Sequence, residues 1–434
     1  MSLFKIHENG STITTEILAG ITTFVTMSYI IFVNPAILSN TGMNFDALVV
    51  VTCLASAFGT LCMALFANYP IALAPGMGLN AFFAFVVVLG MKINGEPVTW
   101  QMALAAVFIE GAIFAVLTLT NIREAIMNSI PKSLKIGISA GIGLFIAFIG
   151  LQSAGIIVKN DATLIGLGHL SGNTNMMLSL LGLFIMSVLT AWKVKGALLI
   201  GIIAITAISA GLGLTELPEE IASEPPSIMP LVGQLDFSLI KEPQFWVIVF
   251  TFFFVDFFDT LGTLVGVCNR SGLLDENGNL PRAKGALMAD AVATMAGALM
   301  GTSTVTSYVE SSSGVAQGGR TGLTSVVTAI LFVCAIFFTP LVKMVPGYAT
   351  APALIIVGVY MMMSLRDMNY DDWTELIPAV VGFFMMPFAY SIATGIEFAI
   401  VLYVAIKIFT GKFKDISFLM VILSALFIAK EFLA

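Results

Sequence analysis

Six carboxylates of this 434-residue chain fall inside long apolar runs: Glu110, Asp256, Asp259, Asp290, Glu310 and Glu397. An ionisable side chain in such a setting is costly, and it points to function by default. Asp256 and Asp259 stand apart through their surroundings, Phe252-Phe253-Phe254-Val255-Asp256-Phe257-Phe258-Asp259-Thr260-Leu261-Gly262-Thr263. Their i, i+3 spacing puts both carboxylates on one side of a helix, where Thr260 and Thr263 extend the polar stripe. Two like charges this close in a low dielectric cannot both ionise comfortably, so at least one is expected to hold a proton near neutral pH. Such a group can take a proton from one side of a barrier and release it on the other. Glu310 lies among hydroxyls in Thr302-Ser303-Thr304-Val305-Thr306-Ser307-Tyr308-Val309-Glu310-Ser311-Ser312-Ser313. A carboxylate there can accept a hydrogen bond from a ring N–H or an exocyclic amine of a flat heterocycle. Asn80 offers a donor and an acceptor together. Phe82, Phe83 and Tyr308 have rings able to stack on such a ligand, although packing is the commoner use of an aromatic. Glu110 and Asp290 read as interhelical hydrogen bonders, and Glu397 as a helix-end acid.

The elements that must carry these groups are membrane helices. The chain is 58% apolar and 10% charged, against about 45–50% and about 25% for a soluble domain, and its mean hydropathy is +0.99. The apolar runs give spans at 16–38, 45–67, 73–91, 99–119, 134–151, 176–192 and 196–213. A polar interval follows, and then 244–268, 284–301, 304–318, 321–341, 350–364, 374–390 and 393–410. A last apolar stretch, 416–433, is left as a surface or sideways-packed tail or an extra span. With the N-terminus cytoplasmic, fourteen basic residues fall inside and four outside (Lys92, Lys159, Lys241 and Lys343), with Lys430 in the tail. That asymmetry fits fourteen crossings with both termini in the cytoplasm. The first twenty residues are too polar for a signal peptide, so the first span is expected to stay in the protein. Cys53, Cys62, Cys268 and Cys334 lack any CxxC spacing, and the two histidines, His7 and His169, fall in loop-like sequence. No disulfide framework, metal site, cofactor or nucleic-acid partner is expected.

Seven spans repeated in tandem enter the membrane from opposite sides, which makes an inverted repeat with its site near the midplane. The third span of each half is interrupted. Ala74-Pro75-Gly76-Met77-Gly78-Leu79-Asn80 breaks the first, and the hydroxyl-rich stretch around Thr306 breaks the second. Non-helical backbone at membrane depth must be buried in protein or line a cavity. Two short strands meeting there, each followed by a half-helix, account for both stretches. The fold class expected is therefore an all-α polytopic membrane protein with fourteen transmembrane segments, a 7+7 inverted repeat, and short β-strands in spans 3 and 10.

Four segments carry a family resemblance: Phe24-Val25-Thr26-Met27-Ser28-Tyr29, Ala74 to Asn80, Asp256-Phe257-Phe258-Asp259-Thr260-Leu261-Gly262-Thr263, and Thr306-Ser307-Tyr308-Val309-Glu310-Ser311. In this order they resemble the AzgA-like purine permeases, the hypoxanthine/adenine/guanine branch of the nucleobase–cation symporters, over essentially the whole chain. The resemblance implies a core domain of spans 1–4 and 8–11 (residues 1–120 and 244–342) and a gate domain of spans 5–7 and 12–14 (121–243 and 343–434). It implies import of a purine nucleobase across the cell membrane, coupled to protons, with no cofactor beyond the coupling ion. Asp256 and Glu310 become base-binding carboxylates, Asn80 an orienting amide, and Asp259 the proton-linked or site-shaping partner. Thr26, Tyr308 and Phe82 complete the expected substrate-facing set, and Thr260 joins Asp256 and Asp259 in the proton-coupling set. Uracil permease relatives carry a histidine where this chain has Thr260, which leaves the coupling to the carboxylates. Relatives often pair through their gate domains, so a homodimer is compatible with the resemblance, and no GxxxG-type patch decides it. The rival within the same architecture is a sulfate- or bicarbonate-type anion transporter, which the lack of a basic residue near the acids opposes. An aspartyl protease would need its two aspartates on facing helices, whereas Asp256 and Asp259 share one.

Overall fold

A computed structural model describes residues 4–120, 130–271, 273 and 280–433. Arg123, counted above on the cytoplasmic side, lies outside them. Among the described residues, eight helices are long and apolar enough to cross a membrane, and five shorter apolar helices accompany them. The protein is an integral membrane protein.

Two compact units divide the chain. The first comprises Met1–Val116 and Gly150–Ile356, the second Leu117–Ile149 and Val357–Ala434. The first unit opens with α1 (Ile13–Met27), α2 (Ile30–Leu38) and α3 (Phe45–Phe66). Strand β1 (Leu73–Pro75) leads into α4 (Met77–Ala81), which widens to a π-helical stretch over Phe82–Val88. A hairpin of β2 (Lys92–Ile93) and β3 (Glu96–Pro97) precedes α5 (Trp100–Leu119) and α6 (Lys132–Ser153), in each of which the chain passes from one unit to the other. Next come a hairpin of β4 (Ile157–Asn160) and β5 (Leu164–Leu167), α7 (Thr174–Ala191) and α8 (Ala197–Gly211). The second half of this unit holds α9 (Pro243–Ser271), α10 (Ala283–Met300), β6 (Val305–Ser307), α11 (Ser311–Ala316), α12 (Gly322–Ala335) and α13 (Thr339–Lys343). Helix α14 (Gly347–Met362) leads out of it, and the second unit continues with α15 (Trp373–Phe388), α16 (Ile392–Phe409) and α17 (Phe418–Leu433).

Polar side chains start these helices by accepting from otherwise unpaired N–H groups. Thr12, Asn44, Asn173, Asp372 and Ser391 do so for α1, α3, α7, α15 and α16. The core below the two strands interleaves α3, α9 and α10 through Ala55, Cys62, Leu264, Cys268, Leu287 and Ala293. Three of the four cysteines are buried free thiols, and Cys334 is exposed. In the second unit, small residues bring backbones together, as is usual between helices in lipid. A Cβ on Gly358 would sit 2.3 Å from the Gly143 carbonyl oxygen, and one on Gly137 2.6 Å from that of Ala379. The tail forms α17, packed on α16 with Met420, Leu423 and Phe427 buried.

Candidate functional site

The site grows from the two interruptions. β1 and β6 pair antiparallel, with Leu73 opposite Ser307, Ala74 opposite Thr306 and Pro75 opposite Val305. The ladder extends one step at each end, where Gly76 N–H donates to the Thr304 carbonyl (2.9 Å) and Tyr308 N–H to that of Ala72 (3.0 Å). A two-stranded ribbon leaves edge groups that a buried site must satisfy. Thr60 of α3 serves Leu73, accepting from its N–H (2.9 Å) and donating to its carbonyl (3.1 Å). Thr294 of α10 serves the other strand by donating to the Val305 carbonyl (3.0 Å). Gly301, at φ 99°, turns the chain out of α10 toward β6, a conformation glycine adopts without strain.

Three consecutive hydroxyls before β6 hold groups from three helices of the first half. Thr302 accepts from the Asn34 amide (3.2 Å), Ser303 donates to Asn80 Oδ1, and Thr304 faces Glu110 Oε2 at 3.5 Å. Asn80 is fully buried, and among the described residues neither its Nδ2 nor the Ser307 hydroxyl on β6 has a hydrogen-bond partner. Buried polar groups are nearly always hydrogen-bonded, so these two, like Thr23 Oγ1 and Asn34 Oδ1, are candidate contacts for a ligand.

Helix α9 lays its polar stripe against the ribbon. The Thr260 hydroxyl lies 3.2 Å from Asp256 Oδ1, 3.0 Å from Asp290 Oδ2 and 2.7 Å from the Thr306 hydroxyl. Asp290, read from sequence as an interhelical hydrogen bonder, thus connects α10 to α9. Asp256 and Thr260 are fully buried, while Asp259 is half-buried. Asp259 flanks the start of α4: a Cβ on Gly76 would be 3.6 Å from its Oδ2 and 2.7 Å from Thr306 Cγ2. Glu310 is half-buried at the start of α11, and its Oε1 accepts from the Tyr29 hydroxyl at 2.6 Å. The Tyr308 hydroxyl donates to the Pro75 carbonyl, tying one strand to the other. Phe82 is fully buried, its ring 4.9 Å from that of Phe252 in an edge-on arrangement.

A family model described as the permease family matches residues 14–427. The chain belongs to that family. The permease is 46% identical to the adenine permease AdeP of Escherichia coli strain K12 over 428 residues, which cover 99% of this chain and 95% of that protein. It is 43% identical to the guanine/hypoxanthine permease PbuO of Bacillus subtilis strain 168 over 436 residues, 99% of this chain and all of that protein. The AzgA-like resemblance read from the four sequence motifs is borne out by these matches. Among solved structures, the transmembrane domain of a cyanobacterial bicarbonate transporter, BicA, shares the fold at TM-score 0.66 and 16% identity, covering 89% of this chain and 97% of that one. Family membership makes the protein a transporter and not an enzyme.

Of the residues singled out in the sequence, Asn80, Asp256, Asp259, Thr260, Tyr308 and Glu310 line the ribbon and the half-helices that follow it. Thr26 does not join them through its proton. It donates back to the carbonyls of Thr22 and Thr23 (2.9 Å each), as threonines in helices often do. One turn later the same motif delivers Tyr29 to Glu310. Glu16, at the edge of the first apolar run, is not among the carboxylates that the sequence sets apart. It is fully buried, and it accepts from the backbone N–H groups of Arg320 (2.9 Å), Thr321 (3.3 Å) and Thr324 (3.2 Å) and from the Thr324 hydroxyl (2.6 Å). An acid in the first turn of a span, spaced to face a distant Gly-rich turn, leaves no local sequence signal.

Proposed function

We propose that the permease imports purine nucleobases, guanine and hypoxanthine first and adenine within reach, by proton symport with alternating access. The observation that carries the reading is the mix of groups beside the ribbon. Two carboxylate acceptors, the half-buried Glu310 and the buried Asp256, accompany a buried Asn80 amide nitrogen with no partner among the described residues. A purine edge alternates ring N–H or amine donors with carbonyl or ring-nitrogen acceptors, and such a set matches it without a cation. The relatives named for adenine and for guanine/hypoxanthine support the substrate class.

Asp256 and Glu310 bind the base, Asn80 orients it, and Tyr308 and Phe82 wall the site. Asp259, Asp256 and Thr260 take the proton-coupling role. The architecture we infer has fourteen crossings as two inverted repeats of seven. The like service of Thr60 to β1 and Thr294 to β6, from the helix preceding each strand, supports that symmetry. Spans 1–4 and 8–11 (1–120 and 244–342) form the core that moves against a gate of spans 5–7 and 12–14 (121–243 and 343–434). This division states which spans move together rather than which are most compact. The protein resides in the cell membrane with both termini cytoplasmic, and a homodimer paired through the gate domains is compatible with this arrangement.

The test is uptake of radiolabelled hypoxanthine, guanine and adenine by cells lacking purine transporters, with and without a protonophore. Wild-type uptake should collapse with the proton gradient and with Glu310→Gln or Asp256→Asn, and should ignore excess sulfate or bicarbonate. Uptake of no purine, or uptake indifferent to both substitutions, would sink the reading.

A further inference from the structure

Span 1 grips the element that carries Glu310 at three heights. At the lowest, the Glu16 carboxylate collects the N–H groups of the turn into α12. One to two turns up, Gly314 of α11 lies against α1 so closely that a Cβ there would be 2.1 Å from Thr23 Oγ1 and 2.6 Å from the Ala19 carbonyl oxygen. At the top, between the end of α1 at Met27 and the start of α2 at Ile30, Tyr29 donates to Glu310 Oε1 at 2.6 Å. Tyr29 is fully buried and Glu310 half-buried, so the phenol is shielded while the carboxylate keeps an open side.

We infer that Tyr29 is the positioning residue for Glu310, fixing the carboxylate's rotation so that Oε2 is presented to the ring N–H of a purine. The inference rests on the proposed function and deepens it. A carboxylate without a fixed partner rotates about its last bond, and a ligand then has to bear the cost of ordering it. With the phenol on Oε1, that order exists before the ligand arrives. Short hydrogen bonds to a charged group are among the stronger ones in proteins. The role of the first-span motif is then to aim the carboxylate of the second half. The site is incomplete without this reach across the repeat.

Tyr29→Phe removes one oxygen and leaves the ring. The expected result is a KM for hypoxanthine raised roughly tenfold or more, with Vmax within about twofold of wild type. In purified protein, hypoxanthine binding measured by calorimetry should show strong non-additivity between Tyr29→Phe and Glu310→Gln, because the phenol then has no charge left to aim. An unchanged KM, or additive effects of the two substitutions, overturns the inference. If the phenylalanine protein does not reach the membrane, Tyr29→Gln and Tyr29→Leu are compared, being alike in size and different in donor. A lower KM for the glutamine variant supports the inference, and equal values overturn it. Failure of wild type to import any purine would instead remove the proposed function, and this inference with it.

Discussion

Thr260 has one proton and three oxygen neighbours, those of Asp256, Asp290 and Thr306. A hydroxyl donates once and accepts up to twice, so it holds the arrangement only while its neighbours supply the remaining protons. Thr260→Val keeps the shape and removes the oxygen. It should lower stability by about 1–3 kcal/mol in denaturation of the purified protein and abolish most purine uptake, whereas Thr260→Ser should retain most of both. Equal behaviour of the two variants would refute the bridging role. Near the end of α16, Lys407 is 1% exposed and faces Asp372 (3.8 Å), Glu375 (3.5 Å) and Asp415 (3.1 Å). Lys407→Met should therefore lower the thermal midpoint more than Lys412→Met, since Lys412 is 42% exposed. A buried charge partner is worth more than a solvated one. Asp372 itself accepts from the hydroxyl and N–H of Thr374 and from Lys412, and the Thr374 hydroxyl first of all holds its carboxyl at about 2 instead of 3.8. A depressed value means that its stabilisation is complete above about pH 4 and is lost as pH falls through about 2. Water reaches this side chain, so the effect is small. Acid titration of thermal stability between pH 4 and pH 2 should be steeper for wild type than for Asp372→Asn, and equal slopes would refute the assignment.

Each ribbon strand leads through a turn into a short helix, β1 into α4 and β6 into α11. Thr60 and Thr294 satisfy part of the ribbon's residual polar edge, which is what extended backbone needs wherever lipid could not do so. The position of α11 then depends on how closely it approaches α1. Gly314→Ala places a methyl group against Thr23 and the Ala19 backbone, and backbone cannot yield as a side-chain tip can. The substitution should cost about 1–3 kcal/mol and reduce uptake by displacing Glu310 from Tyr29. Gly347→Ala, with nothing within 4 Å of the added carbon, should leave both uptake and thermal midpoint unchanged. If the two alanine variants behave alike, the close approach has no functional weight.

At the scale of the whole molecule, the basic residues make the most direct prediction. Single cysteines placed in an otherwise cysteine-free permease at positions 195 and 412 should react with an impermeant thiol reagent only after the membrane is opened. Those at 159 and 241 should react in intact cells. Reactivity of 195 and 159 from the same side would break the inside-positive count of fourteen crossings.

Apolar run length, basic-residue asymmetry and the four motifs were legible in the chain itself, because membrane burial and topology are set by local composition. The family followed from the same segments. The carboxylates of α9 were also visible, since an acid among phenylalanines has few innocent explanations. What the tertiary structure decided was which groups reach which. The first-span motif presented both Thr26 and Tyr29, and only the three-dimensional packing shows Thr26 bonded to its own helix and Tyr29 bonded to Glu310, 281 residues away. Glu16 and the turn at 320–324 are a comparable pair, about 304 residues apart. Hydrogen bonds at such separations depend on helix packing and close backbone approach, and neither has a period or a composition that a sequence displays.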